Sequence, residues 1–351
     1  MNILALDDYF QSLAAQDEFS GVVQVTRGDE ILFTGAYGYA SRAWGVKNTL
    51  ETRFDTASLT KLFTAVATLQ LVELGHISLE TRVMDFLGLM DTAISPEVNV
   101  YHLLTHTSGI GDDADEEAGE LYEDLWKTKP NYAVTQTVDF LPQFIHKPPN
   151  FSPGQGCRYC NVGYVLLGLV IERVSGMAYR DYVRERIFVP AGMDRAGFFR
   201  MDRVNENVAE GADPLRDEAG RCVGWKRNIY SYPPIGSPDA GAHVTAGDLQ
   251  KFLRAVQSGQ LLFPAQAQAF LTPQVLHSHR DGWDMKYGMG LWFNANPDGE
   301  VVYYQKEGIN PGTSAILRHY PKTGTTVILL SNLEDGVWAP ARKIHEVLLA
   351  S

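Results

Sequence analysis

At 351 residues, the chain is long enough for one large domain or for two of ordinary size. Hydrophobic residues make up 45% of it and charged residues 21%, which is typical of a globular protein. The formal net charge of -12 argues against nucleic acid or an anionic membrane surface as the partner. The longest uninterrupted apolar run, residues 164–171, is too short to span a bilayer.

The first residues show no secretion signal. Residues 1–10 lack a basic start and a long apolar core, and Asp7 and Asp8 interrupt them. With Met1 as the native start, we expect a cytoplasmic protein; with a different start, it could be periplasmic or secreted. The three cysteines, an odd number, fit a reducing compartment better than a disulfide framework.

The N-terminal part predicts a short helix, a strand pair and then one long helix. We expect an amphipathic helix at 7–15 and strands at 21–26 and 31–34, joined by a tight turn. Apolar residues then recur at helical spacing from Leu59 to Leu74, where Gly75 supplies a stop. Because this helix is apolar on nearly every face, we expect it to lie in the centre of the protein.

The middle of the chain has the pattern of a mainly helical region. We expect helices and loops over 79–107 and 134–145, an apolar helix over 162–175 and a further helix over 179–188. Residues 205–239 are rich in Gly, Pro and Asn, so they predict an irregular segment that returns from this region.

Acidic residues are concentrated between positions 112 and 124. They are Asp112, Asp113, Asp115, Glu116, Glu117, Glu120, Glu123 and Asp124. Such a run favours a solvated loop or an exposed helix. The alternative is a mobile acidic lid over a site that favours cationic substrates, because long loops on a scaffold often carry function.

The C-terminal part is rich in predicted strands. We expect a helix at 246–257, strands at 290–294, 301–305, 314–320 and 325–331, and a final helix at 338–349. Strands at both ends of the chain with helices between them predict an α+β fold. In this fold an antiparallel sheet is flanked by the N- and C-terminal helices. The sheet domain would comprise 1–75 and 236–351, the mainly helical domain 76–235, and the active site would lie between them.

Ser58 and Lys61 form a candidate nucleophile and base at the mouth of the predicted buried helix. Residues three apart share one helix face, so the two side chains can meet. A serine hydroxyl is a poor nucleophile until a base removes its proton. A lysine can serve as that base when burial or neighbouring positive charge holds it neutral. The positive end of the helix dipole would stabilise a developing alkoxide on Ser58.

Three short motifs stand in order along the chain: Ser58-Leu59-Thr60-Lys61, Tyr159-Cys160-Asn161 and Lys306-Glu307-Gly308. Together they resemble the serine β-lactamase and penicillin-binding-protein superfamily. The resemblance is to its class C-like branch of class C β-lactamases, D-peptidases and family VIII esterases. The pattern of that branch is Ser-x-x-Lys, Tyr-x-Asn and Lys/His-x-Gly. Segments 103–110, 151–154 and 310–312 also resemble the branch, so the likeness covers nearly the whole chain. It implies a β-lactamase/transpeptidase-like fold.

The chemistry of acyl transfer assigns catalytic roles to three of these residues. Ser58 would attack the substrate carbonyl, with Lys61 as its nearest proton acceptor. Tyr159 can act as a second base or acid if the cations Lys61 and Lys306 lower its pKa toward phenolate. The resemblance implies that Tyr159 also protonates the leaving group.

The remaining motif residues are candidates for substrate binding. Asn161 can hydrogen-bond both Lys61 and a substrate amide. Lys306 would face the site from a strand edge, and Gly308 would let the substrate backbone approach closely. The expected oxyanion donors are the backbone N–H groups of Ser58 and Ile309. Alone, each of these residues could also be structural: Asn161 and Tyr159 as loop residues that cap a helix, Lys306 as a solvated strand end.

We therefore predict a serine acyl hydrolase that forms an acyl-enzyme on Ser58 without a cofactor or metal. Its substrate would be a small ester, amide, D-peptide or β-lactam. Lys306 favours substrates that carry a carboxylate, whereas Glu307, in place of the usual threonine, would repel one if it pointed inward. The alternative is a penicillin-binding or scaffold protein that is acylated, or binds, without efficient turnover. The sequence does not indicate an oligomeric state.

Two competing sites have weaker patterns. Cys157 and Cys160 have the spacing of half a redox or zinc site, but Cys222 stands alone and no second pair exists. His102 and His106 are four apart but lack the glutamate of a metalloprotease helix, so we expect His106 to be a structural histidine with its hydrogen bonds satisfied. The sequence has no Gly-x-Ser-x-Gly motif, which argues against an α/β-hydrolase.

Overall fold

An eight-stranded antiparallel sheet is the frame of the molecule in the computed structural model, which describes residues 3–349. Within these residues the chain forms 14 strands, eight in the main sheet and six in three two-stranded sheets. They are β1 (Gly21–Arg27), β2 (Glu30–Tyr37), β3 (Tyr39–Ser41), β4 (Val46–Lys47), β5 (Phe54–Asp55), β6 (Ala212–Arg216), β7 (Cys222–Arg227), β8 (His243–Val244), β9 (Val275–Arg280), β10 (Trp283–Tyr287), β11 (Trp292–Ala295), β12 (Val301–Asn310), β13 (Thr313–Tyr320) and β14 (Thr325–Ser331). The order across the main sheet is β2-β1-β14-β13-β12-β11-β10-β9. Strands from both ends of the chain therefore meet in one sheet.

Nine α-helices lie within residues 3–349. They are α1 (Ile3–Ala15), α2 (Lys61–Glu73), α3 (Val83–Leu87), α4 (Val100–Leu104), α5 (Asn161–Ser175), α6 (Tyr179–Val183), α7 (Ala246–Gln257), α8 (Pro264–Phe270) and α9 (Trp338–Leu349). In the described part of the chain, no single helix is long and apolar enough to cross a bilayer. The bent pair Asn161–Ser175 and Tyr179–Phe188 would meet that test by length and composition only.

The two faces of the sheet bury two different hydrophobic cores. On one face, Phe10 of α1 and Ile344 of α9 pack with Val23 of β1 and Leu329 of β14. On the other face, the next residues along the same strands join the core around α2 and α5. This alternation follows from the period of two in a strand, which points successive side chains to opposite faces. The predicted α+β fold, with its antiparallel sheet flanked by the terminal helices, is confirmed.

Helix α2 lies at the centre, as its apolar pattern predicted. Ten of its residues are buried, including Lys61. It packs against α5, and Gly75 follows it with a φ of 70°, a left-handed conformation that ends a helix at little cost for glycine. A short 3₁₀ helix, Ala57–Thr60, precedes α2 and contains Ser58.

Three predictions about strands were wrong. Residues 205–239 contain the hairpin β6–β7, and β9 and β10 extend the main sheet where no strand was expected. Strand β12 also continues to Asn310, so Lys306 lies inside a strand and not at its end. The domain boundaries at 75/76 and 235/236 stay a prediction.

Candidate active site

A tight turn presents Ser58 at the N-terminal end of α2. Ala57, which is completely buried, has a φ of 43°, a conformation that non-glycine residues rarely adopt. Its N–H donates to Asp55 Oδ1 at 2.7 Å, and Thr60 Oγ1 donates to its carbonyl oxygen at 2.7 Å. Local strain of this kind persists only when the surroundings fix it, which is common at functional sites.

The Ser58 hydroxyl lies between two proton-carrying side chains. Lys61 Nζ is 3.1 Å from Ser58 Oγ, and Tyr159 OH is 2.8 Å from it. Lys61 reaches the serine from the next helical turn, whereas Tyr159 is brought there from more than 100 positions further along the chain. The structure thus brings the three predicted catalytic residues together.

Lys61 is fully buried and has three hydrogen-bond partners. Besides Ser58, it donates to Asn161 Oδ1 at 2.8 Å and to the backbone oxygen of Asp239 at 2.9 Å. Burial lowers the pKa of Lys61, while the charges of Asp239 and Glu116 oppose that shift. The lowered pKa makes a neutral amine, and hence a base for Ser58, easier to form.

Of the two roles considered for Tyr159, its surroundings favour the acid over the phenolate base. Burial raises the pKa of Tyr159 well above its usual value, the charge of Glu116 raises it further, and the hydrogen bond with Ser58 lowers it only in part. Lys61 and Lys306 do lie over the Tyr159 ring, 4.9 and 4.8 Å from its centre. Tyr159 therefore carries its proton in the free protein and is placed to donate it.

The first two residues of the acidic segment are structural. The carboxylate of Asp112 accepts the N–H groups of Asn161 at 2.8 Å and Val162 at 3.0 Å, at the start of α5. This caps the helix and satisfies two donors that lack partners within it. Asp112 and Asp113 are 4% and 1% exposed, so the solvated interpretation is wrong for both.

The next acidic residues lie at the site itself. Glu116 Oε1 accepts from Asn161 Nδ2 at 3.0 Å. Glu117 Oε1 accepts the Tyr159 N–H at 2.8 Å and lies 3.3 Å from His277 Nε2. The acidic segment thus contacts the Tyr-x-Asn motif directly.

Strand β12 forms the opposite wall of the site. Strand β11 pairs only with residues 301–305 of β12, so within residues 3–349 no strand covers the outer edge of 306–310. Gly308 packs against the nucleophile turn: a Cβ there would clash with the Thr56 carbonyl oxygen and lie 2.8 Å from the Ser58 nitrogen. Only glycine permits this close approach.

The register of β12 gives the direction of the Ile309 N–H. Asn310 and Thr313 close the two-residue turn to β13, so they form a hydrogen-bonded pair of the ladder. Hydrogen-bonded and non-bonded pairs alternate, so the N–H of Ile309 faces away from β13, toward the free edge. That direction suits the predicted second oxyanion donor.

Lys306 and Glu307 belong to opposite faces of β12. Lys306 is 1% exposed, and burial together with the charge of Lys61 lowers its pKa to about 7. The Glu307 carboxylate accepts from Gln305 Nε2 at 2.8 Å. Successive strand residues point oppositely, yet Glu307 also lines the cavity and its charge raises the pKa of Lys306, so the repulsion of a substrate carboxylate by Glu307 stays a prediction.

A cavity of about 420 Å³ opens between the two walls. Ser58, Tyr159, Lys306, Gly308 and Ile309 line it, as predicted site residues. Its other lining residues include Glu307 and, from the acidic segment considered as a lid, Glu116 and Glu117. The sequence did not indicate two further lining residues, His277 and Trp292. His277 and Trp292 come from β9 and β11, where no spacing links them to the motifs. A larger cavity of about 800 Å³ lies elsewhere, around Arg82 and Lys147.

The competing residues have structural surroundings. All three cysteines are free thiols. Among residues 3–349, no group of three or more His, Cys, Asp and Glu side chains could hold a metal ion. His102 completes the cap of α4 with Asn99, and His106 Nδ1 accepts the Cys160 N–H at 3.1 Å.

A nucleophilic serine bonded to a buried lysine and a tyrosine, beside a free strand edge, is the site of a serine acyl hydrolase. The family model described as Beta-lactamase matches residues 6–351. The chain therefore belongs to the beta-lactamase family, as the motifs predicted.

Three similar proteins illustrate the range of this family. Esterase EstB of Burkholderia gladioli is 32% identical over 289 residues, covering 74% of this chain and 71% of that protein. A penicillin-binding protein of Bacillus subtilis (strain 168) is 29% identical over 344 residues, covering 94% and 72%. The crystal structure of a penicillin binding protein from Bacillus halodurans has a TM-score of 0.87 at 39% identity, covering 96% of this chain and 99% of that one.

Proposed function

We propose that this serine hydrolase cleaves a small ester or amide through an acyl-enzyme on Ser58. The observation that carries the proposal is the contact of Ser58 Oγ with both Lys61 Nζ, at 3.1 Å, and Tyr159 OH, at 2.8 Å. A base and an acid on the same hydroxyl can serve the two proton transfers that acyl transfer requires.

In acylation, Ser58 Oγ bonds to the substrate carbonyl carbon and its proton passes to Lys61. The oxyanion is held by the N–H groups of Ser58 and Ile309. The bond to the leaving group then breaks, and Tyr159 gives the departing atom its proton, which Lys61 replaces. In deacylation, water attacks the ester on Ser58, and its proton returns to Ser58 Oγ through the same pair.

The substrate is placed by the groups around this pair. Asn161, through its amide, and Lys306, through its charge, are the proposed binding residues, and Gly308 admits the substrate chain to the strand edge. Relatives named as an esterase and as penicillin-binding proteins support a small ester, amide, D-peptide or β-lactam as the substrate class. Lys306 is buried against the Tyr159 and Trp292 rings and has no hydrogen bond or ion pair among the described residues, which would favour a carboxylate on the substrate.

Covalent labelling tests the nucleophile. A fluorophosphonate should label Ser58 alone, and Ser58→Ala should abolish labelling and lower p-nitrophenyl ester turnover by several orders of magnitude. Ser152→Ala, the serine of a neighbouring turn, is the matched control and should change neither. Labelling at Ser152 or Ser108 would overturn the mechanism.

The second candidate is a protein that is acylated but turns over poorly, which the names of the penicillin-binding relatives favour. Intact-mass spectrometry separates the two. A hydrolase exposed to nitrocefin or to a p-nitrophenyl ester should return to its free mass within seconds to minutes. An adduct on Ser58 that persists for hours with every ester and amide tried would favour the binder.

A further inference from the structure

Asp55, the last residue of β5, is bonded to both sides of the proposed oxyanion hole. Its carboxylate oxygen Oδ1 accepts the Ala57 N–H at 2.7 Å, one residue before Ser58. Its backbone oxygen accepts from Thr313 Oγ1 at 2.7 Å, and Thr313 begins β13 directly after the turn from β12. One residue therefore connects the nucleophile turn to the end of the strand wall.

The carboxylate of Asp55 stabilises the unusual backbone of Ala57. The φ of 43° at Ala57 is left-handed, and a non-glycine residue keeps such a conformation only when its surroundings fix it. Because the peptide unit is planar, the dihedral angles of Ala57 set the direction in which the Ser58 N–H points. The hydrogen bond that holds Ala57 thus also directs the first oxyanion donor.

The hydrogen bond from Thr313 acts on the side of the second donor. Thr313 is 2% exposed, and it pairs with Asn310 across the two-residue turn between β12 and β13. Ile309, whose N–H is the predicted second donor, directly precedes Asn310. Because Thr313 bonds Asp55 and Asp55 bonds Ala57, the two donors are held at a fixed separation.

A second chain of contacts runs from Asp55 to the same turn. Burial raises the pKa of Tyr232 well above its usual value, and the charge of Asp55 raises it further, as expected for a phenol that lies beside this carboxylate. Asn228 Nδ2 donates to the Tyr232 hydroxyl, and it also donates to the Pro311 backbone oxygen at 3.0 Å. Pro311 lies in the turn between β12 and β13, so this chain supports the connection made by Thr313.

Resting on the function proposed above, we propose that Asp55 is a positioning residue for the oxyanion hole. Asp55 lies outside the cavity that contains Ser58, so it acts through Ala57 and Thr313 and not on the substrate. Its two hydrogen bonds keep both N–H donors at the distance from the oxyanion that stabilises it, about 2.7–3.1 Å. This preorganisation lowers the free energy of the transition state and leaves that of the bound substrate nearly unchanged.

Two substitutions at Asp55 test this role. Asp55→Ala removes the acceptor, so kcat for p-nitrophenyl acetate should fall about 10–100-fold while KM stays within about 2-fold, because only transition-state stabilisation is lost. Asp55→Asn keeps an oxygen acceptor for the Ala57 N–H, so its kcat should stay within about 3-fold of the wild type. Equal losses in the two variants would mean that the charge of Asp55, and not its hydrogen bond, matters, and would overturn the proposal.

Phenylboronic acid reports on the oxyanion hole itself. Ser58 Oγ bonds to boron, the serine proton passes to Lys61, and one boron-bound oxygen takes the place of the oxyanion. The inhibition constant should rise in Asp55→Ala by the same factor as kcat falls, about 10–100-fold, because the tetrahedral adduct uses the same two donors. A lower kcat with an unchanged inhibition constant would overturn the positioning role.

Asp139→Ala is the matched control for a loss of stability. Asp139 is also partly buried, and its Oδ2 accepts the N–H groups of Thr135 and Gln136 at 2.9 and 2.8 Å in the helical region. Its loss should lower the melting temperature, as for other caps, but kcat and the inhibition constant should stay within about 2-fold. A similar fall of kcat in this control would mean that reduced stability, and not the oxyanion hole, lowers the activity.

Thr313→Val tests the same role if Asp55→Ala does not fold. It removes the hydroxyl that bonds the Asp55 backbone oxygen and nearly keeps the side-chain volume. With KM unchanged, kcat should fall about 3–10-fold, which corresponds to one hydrogen bond, and the inhibition constant should rise in parallel. If neither changed, the proposal would be overturned. Loss of ester turnover and of Ser58 labelling in the wild type would instead overturn the proposed function itself.

Discussion

The active-site cavity has a helical wall, which carries Ser58, Lys61 and Tyr159, and a strand wall, formed by residues 306–310 of β12. The two walls differ in how completely the hydrogen-bonding groups they carry are satisfied. On the helical wall, Ser58 accepts from Lys61 and Tyr159, and Lys61 has two further acceptors. On the strand wall, in the part of the chain that the structure describes, the outer edge of 306–310 has no strand neighbour, and the Lys306 amine contacts the Tyr159 and Trp292 rings but has no hydrogen bond or ion pair. The polar groups of the helical wall therefore have their partners before a substrate binds, whereas those of the strand wall gain partners from the substrate.

This difference separates chemistry from recognition. Groups held in place by one another cost no reorganisation during the reaction, so they act on the transition state. Groups left open gain their partner when the substrate binds, in the ground state and the transition state alike. Changes on the helical wall should therefore lower kcat, and changes on the strand wall should raise KM.

Tyr159→Phe should give the largest effect among the variants that keep the nucleophile. It removes the hydroxyl 2.8 Å from Ser58 Oγ and leaves the ring, so kcat should fall by roughly 10²–10⁴-fold with little change in KM. Because the pKa of Tyr159 is raised, the phenol is the acid, and the alkaline limb of the pH–rate profile should change in the variant.

Tyr164→Phe is the matched control for Tyr159. It is also a buried tyrosine, its ring centre lies 5.7 Å from Lys61 Nζ, and its hydroxyl donates to the Leu104 carbonyl oxygen at 2.9 Å. Its loss should lower the melting temperature and leave kcat nearly unchanged. If Tyr159→Phe behaved in the same way, the helical wall would be structural and the comparison would break down.

Lys306→Met should act on the other wall, with a smaller effect. For a substrate that carries a carboxylate, KM should rise about 10–100-fold, whereas neutral esters should be affected much less. Lys286→Met, which removes a partly exposed lysine paired with Asp284 on β10, is the control and should change neither. Equal losses for both substrates would show that Lys306 serves the proton transfers and not recognition.

The pKa of Lys306 gives this prediction a pH dependence. Burial and the Lys61 charge lower it to about 7, so Lys306 is charged below that pH and neutral above it. The wild-type preference for a carboxylate should therefore be greatest below pH 7 and decline as the pH rises past it. The Lys306→Met variant should show no such decline, which parallel KM measurements from pH 6 to 8.5 would check.

Contacts between residues of one short motif could be predicted from the sequence better than contacts between residues that are distant in the chain and meet only in the folded structure. Ser58 and Lys61 share one helical turn, so their contact follows from spacing alone. Helices α7 and α9 were also predicted with the observed bounds. Their periodic apolar residues face a continuous core, and α7 also has a complete capping box at Thr245.

The acidic segment and the late strands show where such reasoning fails. Asp112 is buried because α5 begins beside it, and no local pattern of charges reveals that neighbour. Strands β9 and β10 carry His, Arg, Asp and Lys side chains and are only partly buried, so their apolar alternation is weak. Glu116 and His277 reach the site from these two regions: Glu116 was indicated only through the alternative of an acidic lid, and His277 was missed.

The smallest expected effect concerns His106, which lies behind the helical wall. Its Nδ1 accepts the Cys160 N–H at 3.1 Å and its carbonyl accepts the Arg158 N–H at 2.9 Å, so it holds the backbone on both sides of Tyr159. Its ring lies 4.7 Å from the Tyr159 ring, and its φ of 58° is left-handed. The sequence interpretation of a satisfied structural histidine agrees with these contacts, but they also make it a positioning residue for the acid.

Two substitutions test that positioning. Asn tolerates the left-handed backbone and supplies an acceptor, so His106→Asn should stay within about 3-fold of the wild-type kcat. His106→Phe keeps a ring but leaves the Cys160 N–H unpaired, so kcat should fall about 10-fold, the worth of one hydrogen bond. KM should not change in either, and the Tyr159-dependent limb of the pH profile should shift only in His106→Phe. Equal losses in melting temperature in the two variants, with unchanged pH profiles, would mean that His106 only stabilises the fold. It would then not position Tyr159 for catalysis.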